Sequence, residues 1–418
     1  MLPLYYTAAV LATMLGVSRR TITCWAKKGT LIPEEHDDHV EGVYTPEQLT
    51  KFPPSAALFA AHQVPQRRIT PTRAYRSIEL FAGGGGMALG MEKVGFEPLL
   101  LCEWDKHACN TLRKNRPHWN VVEGDVSAID FTPYRNKVDM VSGGFPCQSF
   151  SYSGKRLGFE DTRGTLFFEF ARAVKETNAP MFMAENVRGL LTHDEGKTLA
   201  TIREAIAEIG YTLIEPKILK GIFHQVPQKR ERLILVGIRN DLVADAPFHW
   251  PAPNCDVRVL RDALKAGCLY DTDAPLDALG QKYPKRKGEI MALVPEGGHW
   301  KHLPDLIQRE YMKKSYFLGG GKTGMARRLS WDEPSLTLTC APAQKQTERC
   351  HPELTRPLNI AEYARIQTFP DEWHFSGPVS AQYKQIGNAV PVNLSAAVAE
   401  KLIETLECIE KAKGKNID

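Results

Sequence analysis

Val138-Asp139-Met140-Val141-Ser142-Gly143-Gly144-Phe145-Pro146-Cys147-Gln148-Ser149 is the stretch whose reading decides the fold. Val138 to Ser142 reads as a short apolar strand. Pro146 and Cys147 then fall in the loop just past its carboxyl end, where open α/β sheets place their ligand chemistry. The glycines let the backbone turn tightly, and proline stiffens the loop beside the thiol. A free Cys alone is more often a small buried hydrophobe than a reactive group. The weight therefore falls on the residues that accompany it.

Working outward, strands are predicted over 76–81, 98–102, 120–123, 138–142, 180–184, 212–219 and 233–238. Helical patterns at 106–115, 165–176 and 196–209 separate most of them. Such alternation predicts an α/β fold with a Rossmann-like, doubly wound, mostly parallel sheet, here spanning 75–249. From 250 to about 375 the alternation stops. Prolines, glycines and basic runs such as Lys282-Tyr283-Pro284-Lys285-Arg286-Lys287 predict a smaller irregular domain. Residues 376–412 return to the first domain, with Gln385-Ile386-Gly387-Asn388-Ala389-Val390-Pro391 opening a helix that runs to about 412.

Residues 1–52 read as a separate unit. An apolar-periodic segment at 7–14 is followed by the turn Leu15-Gly16-Val17, and Ser18 caps a second helix that Gly29 stops. Val10, Leu11, Val17, Ile22 and Trp25 pack the pair together and leave Arg19, Arg20, Thr21, Lys27 and Lys28 outward. This is a helix-turn-helix pattern with a basic reading helix. Thr45-Pro46-Glu47-Gln48 offers a capping box that starts a third helix. Pro53, Pro54, Pro65 and Pro71 make 53–74 a linker.

With 418 residues, 43% apolar and 24% charged, the chain has an ordinary globular composition. It carries no membrane-length apolar run and no signal-peptide pattern, which predicts a cytoplasmic protein without a membrane partner. Its nine widely spaced cysteines form no Cys-x-x-Cys pair, so neither a disulfide framework nor a metal site is indicated. A net charge of +4 permits nucleic-acid binding without requiring it.

Three strand ends share one chemistry. Phe81-Ala82-Gly83-Gly84-Gly85-Gly86 is a glycine-rich turn that lets backbone N–H groups approach a ligand, although Gly-x-Gly-x-x-Gly is incomplete at Ala88. Glu103 can hold ribose hydroxyls, and Trp104 can stack on a purine. Asp125, followed by Val126, can accept from an exocyclic amine. Singly these are caps or packed aromatics; jointly they point to an adenosyl cofactor. Glu185 ends a later strand, where it either caps a helix or faces the same edge. Arg230 and Arg232, two residues apart, point one way at a strand start or pair with Glu231 at the surface.

Together these residues resemble the DNA cytosine-5 methyltransferases, above all bacterial modification methylases. The matching blocks are Phe81-Ala82-Gly83, Glu103-Trp104, Gly124-Asp125, Gly144-Phe145-Pro146-Cys147-Gln148, Arg163-Gly164-Thr165-Leu166, Glu185-Asn186-Val187, Gln228-Lys229-Arg230-Glu231-Arg232, Ala364-Arg365-Ile366-Gln367-Thr368-Phe369-Pro370 and Gly387-Asn388-Ala389-Val390-Pro391, in family order. The resemblance implies that Cys147 is the nucleophile toward C6 of a flipped cytosine. It implies that Glu185 contacts N3 and the amino group, and that Arg232 binds O2 with Arg230 in support. Phe81, Gly83, Gly85, Glu103, Trp104, Asp125, Val126, Pro146, Leu166 and Asn388 would line a pocket for S-adenosyl-L-methionine, with no metal. Gln148, Ser149 and Ser151 would close on double-stranded DNA, and the 250–375 region would recognise the target.

The first unit resembles the MerR-like helix-turn-helix regulators through Gly16-Val17-Ser18-Arg19-Arg20-Thr21-Ile22 and Trp25-Ala26-Lys27-Lys28-Gly29. That implies DNA contacts from Arg19, Arg20 and Thr21, and possible autoregulation of a restriction–modification gene. The expected state is a monomer on the methylation target, with the module able to dimerise on an operator. Two other readings remain at this point. Many RNA cytosine-5 enzymes carry a Thr-Cys pair where Pro146-Cys147 stands, and those with a DNA-type scaffold acting on tRNA generally lack a recognition region as long as 250–375. A DNA-binding regulator with a dead catalytic domain would not need intact Cys147, Glu185 and Arg232.

Overall fold

The structure, a computed structural model, describes residues 3–36, 39–62, 70–146, 166–318, 321 and 323–415. The amino-terminal unit begins with β1 (Tyr6–Thr7) and α1 (Ala8–Leu15), whose first turn is capped by Thr7 Oγ1 accepting from the Val10 N–H at 3.3 Å. Ser18 caps α2 (Arg19–Lys27), accepting from the Thr21 N–H at 3.1 Å. Strands β2 (Glu34–His36) and β3 (His39–Tyr44) follow, and β3 pairs antiparallel with both β1 and β2. The Thr45/Gln48 capping box then opens α3 (Pro46–Lys51) as the sequence predicts.

The linker expectation needs correcting at its start. Residues 53–62 form α4 (Pro53–His62), with Ser55 and Phe59 buried. Prolines at a helix start lose only N–H groups that have no intrahelical partner there, so Pro53 and Pro54 begin this helix rather than break it. Phe59 joins a core with Tyr6, Leu11, Ile22 and Leu49, and that core also takes in Ile222, Phe223, Cys255 and Val257. Tyr6 donates its hydroxyl to the Cys255 carbonyl at 3.0 Å. The unit is docked into the rest of the protein.

The main sheet contains β4 (Tyr75–Leu80), β5 (Phe96–Glu103), β6 (Val121–Glu123), β7 (Met140–Gly143), β8 (Met181–Asn186), β9 (Tyr211–Leu213) and β10 (Lys217–Lys220). The short β11 (Gln228–Lys229) stands apart and precedes β12 (Glu231–Arg239), which rejoins the main sheet. The order is β10-β12-β8-β7-β4-β5-β6, with β9 also on β12. From β6 to β8 the strands are parallel, while β12 runs antiparallel to β8, β9 and β10. The single strand expected at 212–219 is divided around Pro216, which has no N–H to give the ladder.

Helices α5 (Gly86–Glu92), α6 (Lys106–Asn115), α7 (Leu166–Thr177) and α8 (Lys197–Glu208) alternate with the strands. Side chains sort by the period of two. Phe182, Ala184, Leu233 and Leu235 join the core under α7 and α8, whereas Met181, Met183, Ile234 and Val236 face the other layer.

Beyond the sheet come α9 (Leu260–Leu264), α10 (Lys285–Ala292), α11 (Asp305–Met312), β13 (Ser335–Leu336) and α12 (Ile360–Ile366). A separate apolar cluster of Ile290, Met291, Trp300, Tyr311, Met312 and Met325 holds the irregular region together. The last expected helix is two helices. α13 (Val379–Asn388) ends before Pro391, and α14 (Val392–Lys415) starts after it. Proline drives the preceding Val390 out of helical backbone, which separates the two. α14 packs on α5, where Ser395 Oγ donates to the Met87 carbonyl at 2.9 Å. No described helix is long and apolar enough to cross a membrane.

Close packing of β12 on β8 gives a stability test. Gly237 pairs with Phe182, and a Cβ on Gly237 would stand 1.9 Å from Phe182 Cε1. Gly237→Ala is expected to lower stability by about 1–3 kcal/mol in urea unfolding. Phe182→Leu in the same chain should recover part of that loss.

Candidate active site

The order of the parallel strands reverses between β4 and β7, so the crevice opens at their carboxyl ends. Register brings those ends level: Leu80 lies opposite both Cys102 and Gly143, Gly143 opposite Ala184, and Glu103 opposite Glu123. The next residues along each strand therefore share one edge.

Phe81 leaves β4 with φ 59°, a backbone conformation that costs a non-glycine residue roughly 1–3 kcal/mol. Gly85, at φ 88°, precedes α5, and a Cβ there would meet Leu112 and Trp373. Trp373 Nε1 also donates to the Gly84 carbonyl at 3.1 Å, which fixes the turn. Glu103 ties two turns together, its carboxylate accepting from the Gly83 N–H at 2.6 Å and the Asp105 N–H at 2.7 Å. Beside it Trp104 is 73% exposed, an unusual amount for an indole and a face free to stack. Asp125 caps the turn after β6 by accepting from the Ser127 N–H at 2.9 Å, and that bond holds its carboxyl below the usual range. Val126 is buried behind it, and Leu166 opens α7 against the same core.

Under this turn lies Glu79, 3% exposed, with no hydrogen-bond partner for Oε2 among the described residues. Burial, with a smaller contribution from Glu103, pushes its carboxyl up to about 8 against an opposing Ala88 N–H. An orphaned buried oxygen, an exposed indole and a carboxylate with spare lone pairs, grouped around one turn, fit an adenosyl group carrying an amino acid.

On the other side of the crevice, Glu185 Oε1 lies 2.5 Å from Arg232 Nε, and each side chain is 12% exposed. The antiparallel register causes this meeting: Glu185 lies opposite Ile234 and Asn186 opposite Leu233, which leaves Arg232 beside the end of β8. A Cβ on Gly144 would stand 3.0 Å from Glu185 Oε2. Asn186 Nδ2 donates to the Phe145 carbonyl at 2.9 Å and so anchors the loop that continues to Pro146. Cys147, Gln148, Ser149 and Ser151 lie outside the described residues.

Arg230 does not share this contact. It is 1% exposed, and its guanidinium donates to the carbonyls of Leu338 (3.2 Å), Gly387 (2.9 Å) and Ala389 (2.9 Å). Burial first, and the like charge of Arg232 second, push it down to about 9, still cationic at neutral pH. It holds the break between α13 and α14. Asn388, the last residue of α13, accepts from Cys340 Sγ at 3.1 Å.

Sequence reasoning gave no role to Asn186, or to the buried amide pair in which Gln228 Nε2 donates to Gln367 Oε1 at 2.9 Å. Gln367 Nε2 then takes the Ile386 carbonyl at 2.6 Å. Only their place inside the matching blocks marked them.

Helix α2 is outward but not free. Arg19 Nη2 lies 2.7 Å from Glu333 Oε1, while Lys229 Nζ takes Glu333 Oε2 at 3.0 Å. Arg20 is exposed, and the Thr21 hydroxyl lies 2.9 Å from that of Ser18. No cluster of His, Cys, Asp and Glu able to hold a metal occurs among the described residues.

Glu79 supplies a pH test. Its folded-state value lies above the unfolded value of 4.5. Its contribution to stability is therefore complete below the unfolded value and is lost as pH rises through the folded one. Glu79→Gln carries no such loss. The melting temperature of the variant relative to the wild type should rise steadily from about pH 5 to about pH 9. A gap independent of pH would contradict the buried carboxyl.

Comparison with known proteins gives one family for most of the chain. The description C-5 cytosine-specific DNA methylase matches residues 75–404, and MerR HTH family regulatory protein matches 6–52. The chain is 61% identical over 406 residues to the Type II methyltransferase M.Eco47II of Escherichia coli, covering 97% of each chain. It is 54% identical to the Type II methyltransferase M.PspPI of Psychrobacter sp. (strain TA137), covering 97% of this chain and 98% of that one. A crystal structure of a putative DNA modification methyltransferase from a prophage of E. coli shares the fold. Its TM-score is 0.58 at 21% identity, over 80% of this chain and all of that one. The sheet, its carboxyl-edge crevice and these matches agree, and the chain belongs to the C-5 cytosine-specific DNA methylases.

Proposed function

We propose that the chain transfers a methyl group from S-adenosyl-L-methionine to C5 of a cytosine flipped out of a short duplex sequence, as the modification enzyme of a Type II restriction–modification system. The Glu185–Arg232 ion pair beside Gly144 carries the reading, because it sets a carboxyl and a guanidinium at the start of the loop that leads to Cys147. Relatives of 61% and 54% identity named as Type II methyltransferases support the class and the system.

The Cys147 thiolate adds to C6, a step that suits a thiol with an ordinary pKa near ~8.5 because it is both a strong nucleophile and a good leaving group. Glu185 contacts N3 and the amino group and, protonated, gives N3 its proton as C6 is attacked. Arg232 holds O2 and stabilises the charge that gathers there. Bound S-adenosyl-L-methionine supplies an electrophilic methyl to the enriched C5. Loss of the C5 proton and expulsion of the Cys147 sulfur restore the ring.

Phe81, Glu103, Trp104, Asp125 and Asn388 would hold the donor, with Arg230 positioning the last of these through its neighbours' carbonyls. Flipping costs a few kcal/mol, which phosphate and base-edge contacts from the 250–375 region offset. Its exposed Lys282, Lys285, Lys301, Lys313 and Lys314 suit phosphates.

The amino-terminal module binds DNA as well, and binding upstream of its own gene would make the enzyme its own regulator. Its core is completed by Ile222, Phe223, Cys255 and Val257, so operator binding belongs to the full chain.

Cys147→Ser should reduce methyl transfer by roughly three orders of magnitude or more while donor binding persists. A duplex with 5-fluorocytosine at the target should become covalently attached to the wild type when donor is present, because C5 then has no proton to lose. Near-normal turnover in the variant, or no trapped complex, would overturn the assignment.

A further inference from the structure

The reading helix α2 does not stand apart from the methylation crevice. Its first residue, Arg19, shares one carboxylate, Glu333, with Lys229. Lys229 is three residues before Arg232, so at about 3.3 Å per residue the two lie within about 10 Å. Arg327 also faces Glu333 and Arg19, and its buried Nε has no hydrogen-bond partner among the described residues. One carboxylate thus sits among three cations, two of them unbalanced.

On the same side, Lys220 Nζ lies 3.5 Å from where a Cβ on Gly16 would stand, in the turn between α1 and α2. Lys220 is also the register partner of Glu231, next to Arg232. Arg20 and Lys27 are exposed on α2, and Lys28 is exposed just past its carboxyl end. Basic side chains therefore recur from the Glu185–Arg232 edge to the helix-turn-helix, outnumbering the acids Glu231 and Glu333 that lie among them.

We propose that the amino-terminal module is a fixed flank of the methylation crevice, holding the phosphates of the same duplex that carries the target cytosine, on one side of it. This rests on the reading of the module as a DNA-binding unit and adds which DNA it holds. Its shared core with Phe223 and Val257 sets the distance between the two contacts. The nine residues of α2 span about 13 Å. The helix, the Glu333 bridge and the stretch from Lys229 to Arg232 lie in series, so the contact falls on the duplex flanking the target.

The test uses the full-length enzyme and duplexes bearing its own site, mapped by bisulfite sequencing of DNA from expressing cells. Each duplex has a short or a long flank on one side or the other. The wild type should bind roughly tenfold more tightly when the flank on one particular side is lengthened beyond the reach of α2. In Lys27→Glu/Lys28→Glu that gain should vanish, and the slope of log K against log salt on the long duplex should fall by about 2. Methylation of the short duplex should be unchanged, because these side chains face away from the shared core.

Wild-type affinity indifferent to either flank, or a variant that keeps the gain, would overturn the proposal. So would two duplexes bound per chain, which would make the module a separate operator reader. Loss of short-duplex methylation in the variant would overturn it too, because α2 would then serve the catalytic fold. A wild type that methylates no duplex is a different result, and it removes the enzymatic reading itself.

Discussion

The antiparallel pairing of β12 on β8 is the constraint on which the site depends. Five parallel strands can deliver residues to the crevice only from their carboxyl ends, and Glu185 arrives that way. A guanidinium beside it must come from a strand that begins where β8 ends. With Ile234 opposite Glu185, the first residues of β12 reach that place, and Arg232 meets the carboxylate at 2.5 Å. A parallel β12 would put the same arginine at the far edge of the sheet. The two half-buried charges face each other in a wall of low dielectric, where a lost partner costs far more than at a surface.

A second constraint closes the other wall. The chain passes from α13 to α14 through Ala389-Val390-Pro391, and a helix broken inside a protein leaves carbonyls without partners. Arg230 takes those of Gly387 and Ala389, and Gln367 takes that of Ile386. Backbone also approaches backbone here, since a Cβ on Gly387 would stand 2.3 Å from the Thr339 carbonyl oxygen. Asn388 therefore projects from a rigid support. Arg230 and Arg232 are two residues apart and divide the work, one building the wall and the other pairing with Glu185.

Most of the fold was legible because its signals are local. Ser18 and the Thr45/Gln48 box each cap the helix that follows, and the strands of the sheet recur near their expected places. What escaped depends on distant partners. Strand direction follows from how connections fold back, so the reversal at β12 leaves no periodic mark. Prolines at 53 and 54 look the same whether they break a chain or begin a helix, and burial of Phe59 decides. The expectation that Arg230 and Arg232 point together assumed a continuous strand. β12 starts at Glu231, so the alternation does not extend back to Arg230. That Glu103, Asp125 and Glu185 fall at strand ends could be read from the sequence, because strand ends carry local signals.

Charge shows the same division between local and global. A net +4 over 418 residues describes a chain almost neutral on average. Ions screen exposed charges beyond about 8 Å at physiological strength, so a duplex responds to clusters and not to the total. Ion pairs among the described residues consume much of the basic inventory locally, including Arg73, Arg172 and Arg286. What distinguishes the surroundings of Glu333 is that its one carboxylate is outnumbered by Arg19, Lys229 and Arg327. Removing the acid would leave three like charges in a half-buried place, which folding would resist. Keeping it lets the cations assemble beside the crevice while still leaving a positive excess for a polyanion. An acidic residue among three cations is then part of how that surface stays folded.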